Sequence, residues 1–150
     1  MDEKDRAVEL FKEGYNCSQS VFTAFAYRFG IDEDTAKKIS AGLGGGVSRM
    51  REVCGAVSGA AMVIGSICSA TDGKDSENKQ KNYELVREFA DRFIKRNGSI
   101  VCRELLGLNV KMESSAKPEG RTAEYYKKRP CVELVGDSAE ILAELIKENQ

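Results

Sequence analysis

Residues 42–70, GLGGGVSRMREVCGAVSGAAMVIGSICSA, contain a glycine-rich turn followed by an uncharged run from residue 53 to residue 70. Alanine and methionine favour a helix in this run and no proline interrupts it, so the pattern predicts an α-helix. A helix that is apolar on every side is expected to be buried on every side, at the centre of a helical domain. Gly55 and Gly59 lie four residues apart, so another backbone can approach that face closely.

The composition indicates a soluble globular protein, with 31% charged and 41% hydrophobic residues. A membrane span needs about 20 mainly apolar residues, and serines and glycines dilute the uncharged run, so we expect no membrane insertion. The net charge of −1 and the lack of a basic run argue against a nucleic-acid partner. The charged N-terminal segment shows no secretory signal, so we expect a cytoplasmic protein.

The rest of the chain contains amphipathic stretches that are separated by glycines and polar segments. In residues 77–96, for example, Tyr83, Phe89, Phe93 and Ile94 form one apolar stripe, which is typical of a core-facing helix. Residues 109–121 are polar and contain a proline and a glycine, so we expect a loop there. The sequence therefore predicts an all-α fold, a single domain over residues 1–150 with six to eight helices around the buried glycine-containing helix.

Five cysteines and no histidine limit the chemistry that is available to this chain. Without histidine there is no Ser-His-Asp or Cys-His catalysis, and in a cytoplasmic protein the cysteines point to metal binding or redox chemistry. Cys17, Cys54, Cys102 and Cys131 each fall in the first turn of a predicted helix, where unpaired N–H groups and the helix dipole favour the thiolate. Cys68 lies near a helix end instead, and we expect it to be a small buried hydrophobic residue.

Several functions fit these four cysteines, and their spacing does not decide between them. Four thiolates suit an iron–sulfur cluster for electron transfer or redox sensing. Gly55 and Gly59 would then leave room for the cluster, and Arg49 and Arg103 would offset its negative charge. The alternatives are metal-free thiol–disulfide exchange, a structural zinc site in a binding module, or a helical interaction domain with incidental cysteines. The bare Gly55/Gly59 face also favours a homodimer.

A set of motifs along the chain resembles the C_GCAxxG_C_C family of bacterial and archaeal redox-active proteins. The motifs are NCSQ at residues 16–19, the GGG turn at 44–46, CGAVSG at 54–59, and single cysteines at 102 and 131. The resemblance covers essentially the whole chain and implies that these four cysteines form the redox-active site, with Cys68 outside it. A similar cysteine domain of split-Soret cytochromes implies an iron–sulfur centre. The chain has no CxxCH, which excludes covalent haem c, and its redox partner protein stays unidentified.

Overall fold

The computed structural model describes residues 1–108 and 115–150, and within these ranges eight α-helices and no β-strand form. This confirms the predicted all-α fold. Residues 109–114 of the predicted loop lie outside the described residues. The helices are α1 (Glu3–Lys12), α2 (Cys17–Phe25), α3 (Glu33–Ser40), α4 (Gly55–Cys68), α5 (Ser76–Asn97), α6 (Cys102–Leu105), α7 (Ala123–Lys128) and α8 (Cys131–Glu148).

Short polar side chains start several of these helices. Asp2 caps α1, Asn16 caps α2 and Asp32 caps α3, each by accepting a backbone N–H from three residues further on. Asn16 also forms a capping box, because the Gln19 side chain accepts the Asn16 backbone N–H at 3.0 Å. This box places Cys17 at the first position of α2.

The core lies where α2 packs against α1 and α4, and α8 packs against α1, α2 and α4. Large side chains from all parts of the chain are buried there, including Phe11, Phe25, Phe89 and Phe93. A buried hydrogen bond from the Ser138 hydroxyl to the Ala56 carbonyl oxygen, 2.8 Å long, joins α8 to the first turn of α4. The start of α4 is therefore held by both α2 and α8.

The glycines of α4 meet α2 at close range. A Cβ atom built on Gly55 would lie 3.0 Å from the backbone nitrogen of Ser18. A Cβ atom built on Gly59 would lie 3.0 Å from the carbonyl oxygen of Ser18. Larger side chains at either position would push the two helices apart. The close approach expected from the Gly55/Gly59 spacing is thus made by α2.

Burial of α4 on every side, as predicted for a central helix, does not hold. Its buried residues end at Ile64, and Ile67 in the last turn is 38% exposed. Similarly, Phe89 and Phe93 of α5 are buried, but Tyr83 is 60% exposed. Ile94, which the predicted stripe also included, is 39% exposed. Within the described chain, no helix is both long and apolar enough to span a lipid bilayer.

Candidate four-cysteine site

Cys17, Cys54, Cys102 and Cys131 line one cavity of about 70 Å³, which we call the thiol cavity. Their exposed fractions are only 4–9%. Each lies at a helix start: Cys54 is the N-terminal capping residue of α4, and the other three are the first residues of α2, α6 and α8. The fold therefore brings together four thiols from distant parts of the chain. Cys68 is half-buried and lines a different cavity.

A single antiparallel bridge between Val53 and Val101 positions two of these cysteines. The Cys54 backbone N–H donates to the Ile100 carbonyl at 2.8 Å, and the Cys102 N–H donates to the Glu52 carbonyl at 2.6 Å. Each cysteine directly follows its bridge residue. The bridge therefore places the starts of α4 and α6 side by side at the cavity.

The glycine turn, residues 44–47, forms another wall of the thiol cavity. Gly45 and Gly46 line it, and the chain keeps positive φ angles through Val47, Ser48 and Arg49. A Cβ atom on Gly46 would lie 2.6 Å from the Cys102 Cβ atom, so only glycine fits there. A left-handed backbone costs about 1–2 kcal/mol for each residue with a side chain. Such strain is concentrated at functional sites in many proteins.

Positively charged side chains surround the sulfurs. The buried guanidinium of Arg51 lies 3.6 Å from the Cys102 Sγ atom. Arg121 donates to the carbonyl oxygens of Phe11, at 2.6 Å, and Tyr15, at 2.9 Å, and its guanidinium lies 4.0 Å from the centre of the Phe11 ring. These carbonyl oxygens are neutral, so the two hydrogen bonds fix the position of Arg121 without cancelling its charge.

Burial makes two of the thiols harder to ionise than an ordinary cysteine. It raises the pKa of Cys54 to about 12, although the N–H groups of Ala56 and Val57 in the first helical turn favour the thiolate. Burial also raises the pKa of Cys102, against the opposing effect of Arg51. The prediction that these two thiols are easier to ionise than a free cysteine is therefore wrong. The free-energy cost of removing a thiolate from water is larger than the stabilisation that the N–H groups of the first helical turn provide.

Cys131 differs from the other three cysteines. A hydrogen bond from the Cys17 thiol is the main cause that lowers the pKa of Cys131 to about 7, and Tyr125, Arg129 and Arg121 act in the same direction. The same hydrogen bond, together with burial, raises the pKa of Cys17. The proton therefore stays on Cys17, and Cys131 is the thiolate of the pair. Burial also raises the pKa of Tyr125, which keeps its proton as a donor.

The four residues that we expected around a cofactor lie in different places. Gly55 lines the thiol cavity, whereas Gly59 packs against α2. Arg49 lines a neighbouring cavity and donates to the Lys117 carbonyl oxygen. Arg103 forms an ion pair with Glu52 at 3.1 Å and is not among the residues that line the thiol cavity.

Sequence reasoning missed Tyr125 and three arginines, Arg51, Arg121 and Arg129. Two of these had a local signal, because Arg51 precedes Cys54 by three residues and Arg129 precedes Cys131 by two. Arg121 and Tyr125 lie in or beside a polar segment that gave no reason to place them near a cysteine. Among residues 1–108 and 115–150, no three cysteine, aspartate or glutamate side chains are close enough together to hold a metal ion.

Comparisons with known proteins place these observations in a family. A protein of Archaeoglobus fulgidus, described as "Uncharacterized protein", is 27% identical over 154 aligned residues, which cover 98% of this chain and 95% of the relative. No solved structure matches the chain. The family described as "Putative redox-active protein (C_GCAxxG_C_C)" matches residues 15–145, a span that includes all four cysteines of the thiol cavity, and the chain belongs to this family.

Proposed function

We propose that the protein is a thiol redox protein in which Cys17 and Cys131 cycle between a dithiol and a disulfide. One observation carries this proposal: Cys17 and Cys131 line the same small cavity, and the interaction of the two thiols lowers the pKa of Cys131 while it raises that of Cys17. Thiol–disulfide exchange needs one thiolate that attacks and one neighbouring thiol that resolves the mixed disulfide. The pair supplies both, because Cys131 loses its proton near pH 7 and Cys17 keeps its own.

The exchange would proceed in two steps. First, the Cys131 thiolate attacks one sulfur of a disulfide co-reactant, so the S–S bond of the co-reactant breaks and one thiolate leaves. The Cys17 sulfur then attacks Cys131 in the mixed disulfide, and the Cys17 proton goes to the second leaving thiolate. The protein dithiol is oxidised by two electrons, and the co-reactant is reduced to two thiols.

Neighbouring side chains support this assignment of roles. Tyr125 lines the thiol cavity with Cys131 and favours the Cys131 thiolate, and burial raises the pKa of Tyr125, so its hydroxyl keeps its proton. Arg121 and Arg129 place positive charge near Cys131 and stabilise its thiolate. Cys131 would therefore be about half ionised at pH 7, whereas Cys17, Cys54 and Cys102, whose pKa values are raised, stay protonated.

Thiol counting on metal-free protein tests this proposal. Mild oxidation by a small disulfide should lower the number of free thiols from five by two, and peptide mapping should find Cys17 joined to Cys131. Cys17→Ala should stop at a mixed disulfide on Cys131. Cys68→Ala is the matched control, because Cys68 lies outside the thiol cavity, and it should lose two thiols as the wild type does. An unchanged thiol count, or a disulfide between other cysteines, would contradict the proposal.

A second candidate is an iron–sulfur cluster, which is favoured by the four cysteines that line one cavity, although no three of the described side chains are close enough to hold a single metal ion. Four cysteine ligands fit both [2Fe–2S] and [4Fe–4S] clusters, and the residues that would hold one are Cys17, Cys54, Cys102 and Cys131. When bound, a cluster would supply one-electron transfer. The chain itself would contribute burial and the positive charge of Arg121.

Anaerobic reconstitution with iron and sulfide tests this second candidate. Visible absorption and bound iron should appear in the wild type and in Cys68→Ala, and both should be lost in Cys54→Ala. Colourless, iron-free protein would remove the candidate. One bound zinc per chain without iron would favour the structural zinc module instead. The homodimer stays a prediction, and sizing at micromolar concentration tests it.

A further inference from the structure

A second cavity opens directly beside the thiol cavity, and we call it the outer cavity. Its volume is about 340 Å³, within the range of small-molecule binding sites. Exposed residues such as Ser48 and Pro118 line it, so molecules can enter from solvent. Cys131 and Tyr125 line both cavities, whereas Cys17 belongs to the thiol cavity alone. Cys131 is therefore the redox thiol that a molecule in the outer cavity would meet first.

Positive charge dominates the lining of the outer cavity. Among the described residues that line it, four are arginines and one is a glutamate. Glu119 pairs with Arg129 at 3.5 Å, and the two hydrogen bonds of Arg121 go to neutral carbonyl oxygens. A cleft that is lined by one sign of charge concentrates ligands of the opposite sign. The arginines that line it are Arg49, Arg51, Arg121 and Arg129. Arg49 and Arg51 have other partners, so the charge that we assign to a ligand is that of Arg121.

We propose that the outer cavity binds low-molecular-weight disulfides that carry carboxylates and presents their S–S bond to Cys131. This inference rests on the proposed thiol exchange, because it names the substrate class of the same site. Arg121 would hold a carboxylate, and an Arg–carboxylate pair is well suited to this because the guanidinium offers several N–H donors in a fixed plane. The Cys131 sulfur then forms the mixed disulfide while one carboxylate-bearing thiol leaves, and Cys17 releases the second.

Two aromatic disulfides of opposite character provide the probes. Dithiobis(nitrobenzoate) carries two carboxylates, and dithiodipyridine is neutral at pH 7. We expect the ratio of their rates at Cys131, relative to the same ratio for a free cysteine peptide, to favour the anionic reagent by about ten-fold or more. This preference should fall as salt is added, since salt screens charges at this range.

Two variants are expected to change the preference for the anionic reagent in opposite directions. Arg129→Gln should lower the anionic preference by about three- to ten-fold, whereas Glu119→Gln should raise it. Arg129→Lys should keep most of the preference, and the matched control Arg87→Gln, an exposed arginine on α5, should leave it unchanged. Circular dichroism on each variant establishes that it is folded. Equal reactivity of both reagents in the wild type, or equal effects of Arg129→Gln and Arg87→Gln, would overturn the inference.

The design separates failure of this inference from failure of the proposed exchange. In Cys17→Ser the mixed disulfide should accumulate on Cys131, with the anionic preference intact. If Cys131 reacts and is resolved by Cys17 without charge preference, the inference fails and the exchange survives. If peptide mapping finds the first adduct on Cys54 or Cys102, the proposed exchange itself fails.

Discussion

Oxidation of the metal-free protein to a Cys17–Cys131 disulfide is expected to raise the free energy of unfolding by up to about 5 kcal/mol. The bond would close a loop of roughly 115 residues, for which the chain-entropy relation gives about 16 cal/mol/K, or about 4.8 kcal/mol at 25 °C. The folded dithiol already holds both cysteines in the same small cavity. We therefore expect little of this gain to be lost to rearrangement of α2 and α8.

The same free energy makes the disulfide harder to reduce in the folded protein than in the unfolded chain. For a two-electron couple, about 1.4 kcal/mol corresponds to about 30 mV. A gain of about 5 kcal/mol therefore lowers the reduction potential of the folded disulfide by about 100 mV relative to the unfolded one. Equilibration with defined ratios of reduced and oxidised dithiothreitol, in native buffer and in urea, measures this difference.

Urea unfolding of reduced and oxidised protein measures the stability gain, and proteolysis with mass spectrometry assigns the disulfide. The assignment is needed because a Cys54–Cys102 bond would close a loop of roughly 50 residues and add about 4 kcal/mol, which is too similar to separate by stability. Replacing Cys54 and Cys102 together by alanine should preserve the gain, whereas Cys17→Ala should abolish it. Oxidised protein that is no more stable than reduced protein would refute the reasoning.

Three further outcomes test the site and its supports. Alkylation of Cys131 in metal-free protein should rise with pH around a midpoint near 7, and Cys17→Ala should move this midpoint upward, because it removes the hydrogen bond that favours the thiolate. Gly46→Ala should lower the free energy of unfolding in urea by on the order of 2–4 kcal/mol, because its Cβ atom would lie 2.6 Å from neighbouring atoms. Gly73→Ala is the control and should lower it far less, because nothing lies within 4 Å of a Cβ atom there. Ser138→Ala removes a buried hydrogen bond to α4 and should cost about 1 kcal/mol by the same measurement.

Features of this fold that depend on a few neighbouring residues could be predicted from the sequence. The Asn16/Gln19 capping box and the Asp32 cap are local patterns, and the structure has both. The capping box places Cys17 at the start of its helix, whereas the helix starts at Cys54, Cys102 and Cys131 have no side-chain cap. That these starts face one cavity is a tertiary property, and only the order of cysteine motifs along the whole chain pointed to it.

The protonation of the cysteines could not be predicted in this way. A helix start favours the thiolate at every one of the four positions, but burial and partners differ between them. Cys54 meets mainly the cost of burial, whereas Cys131 also meets the Cys17 thiol, Tyr125 and two arginines. Tyr125 and the arginines lie within ten residues of Cys131, but Cys17 comes from a distant part of the chain, so no window of local sequence contains all of these partners. Tertiary packing therefore decides which of four similar cysteines is the nucleophile.

The different pKa values of the four cysteines separate the two candidate functions on energetic grounds. Thiol exchange needs a single thiolate, and Cys131 supplies it at neutral pH without any change in the burial of the other three. A cluster needs four thiolates, so binding must also remove protons from Cys17, Cys54 and Cys102, whose pKa values are all raised. The energy of the metal–sulfur bonds would have to supply that cost. Exchange at Cys17 and Cys131 therefore uses the charges that the folded chain already has, whereas cluster binding would have to change them.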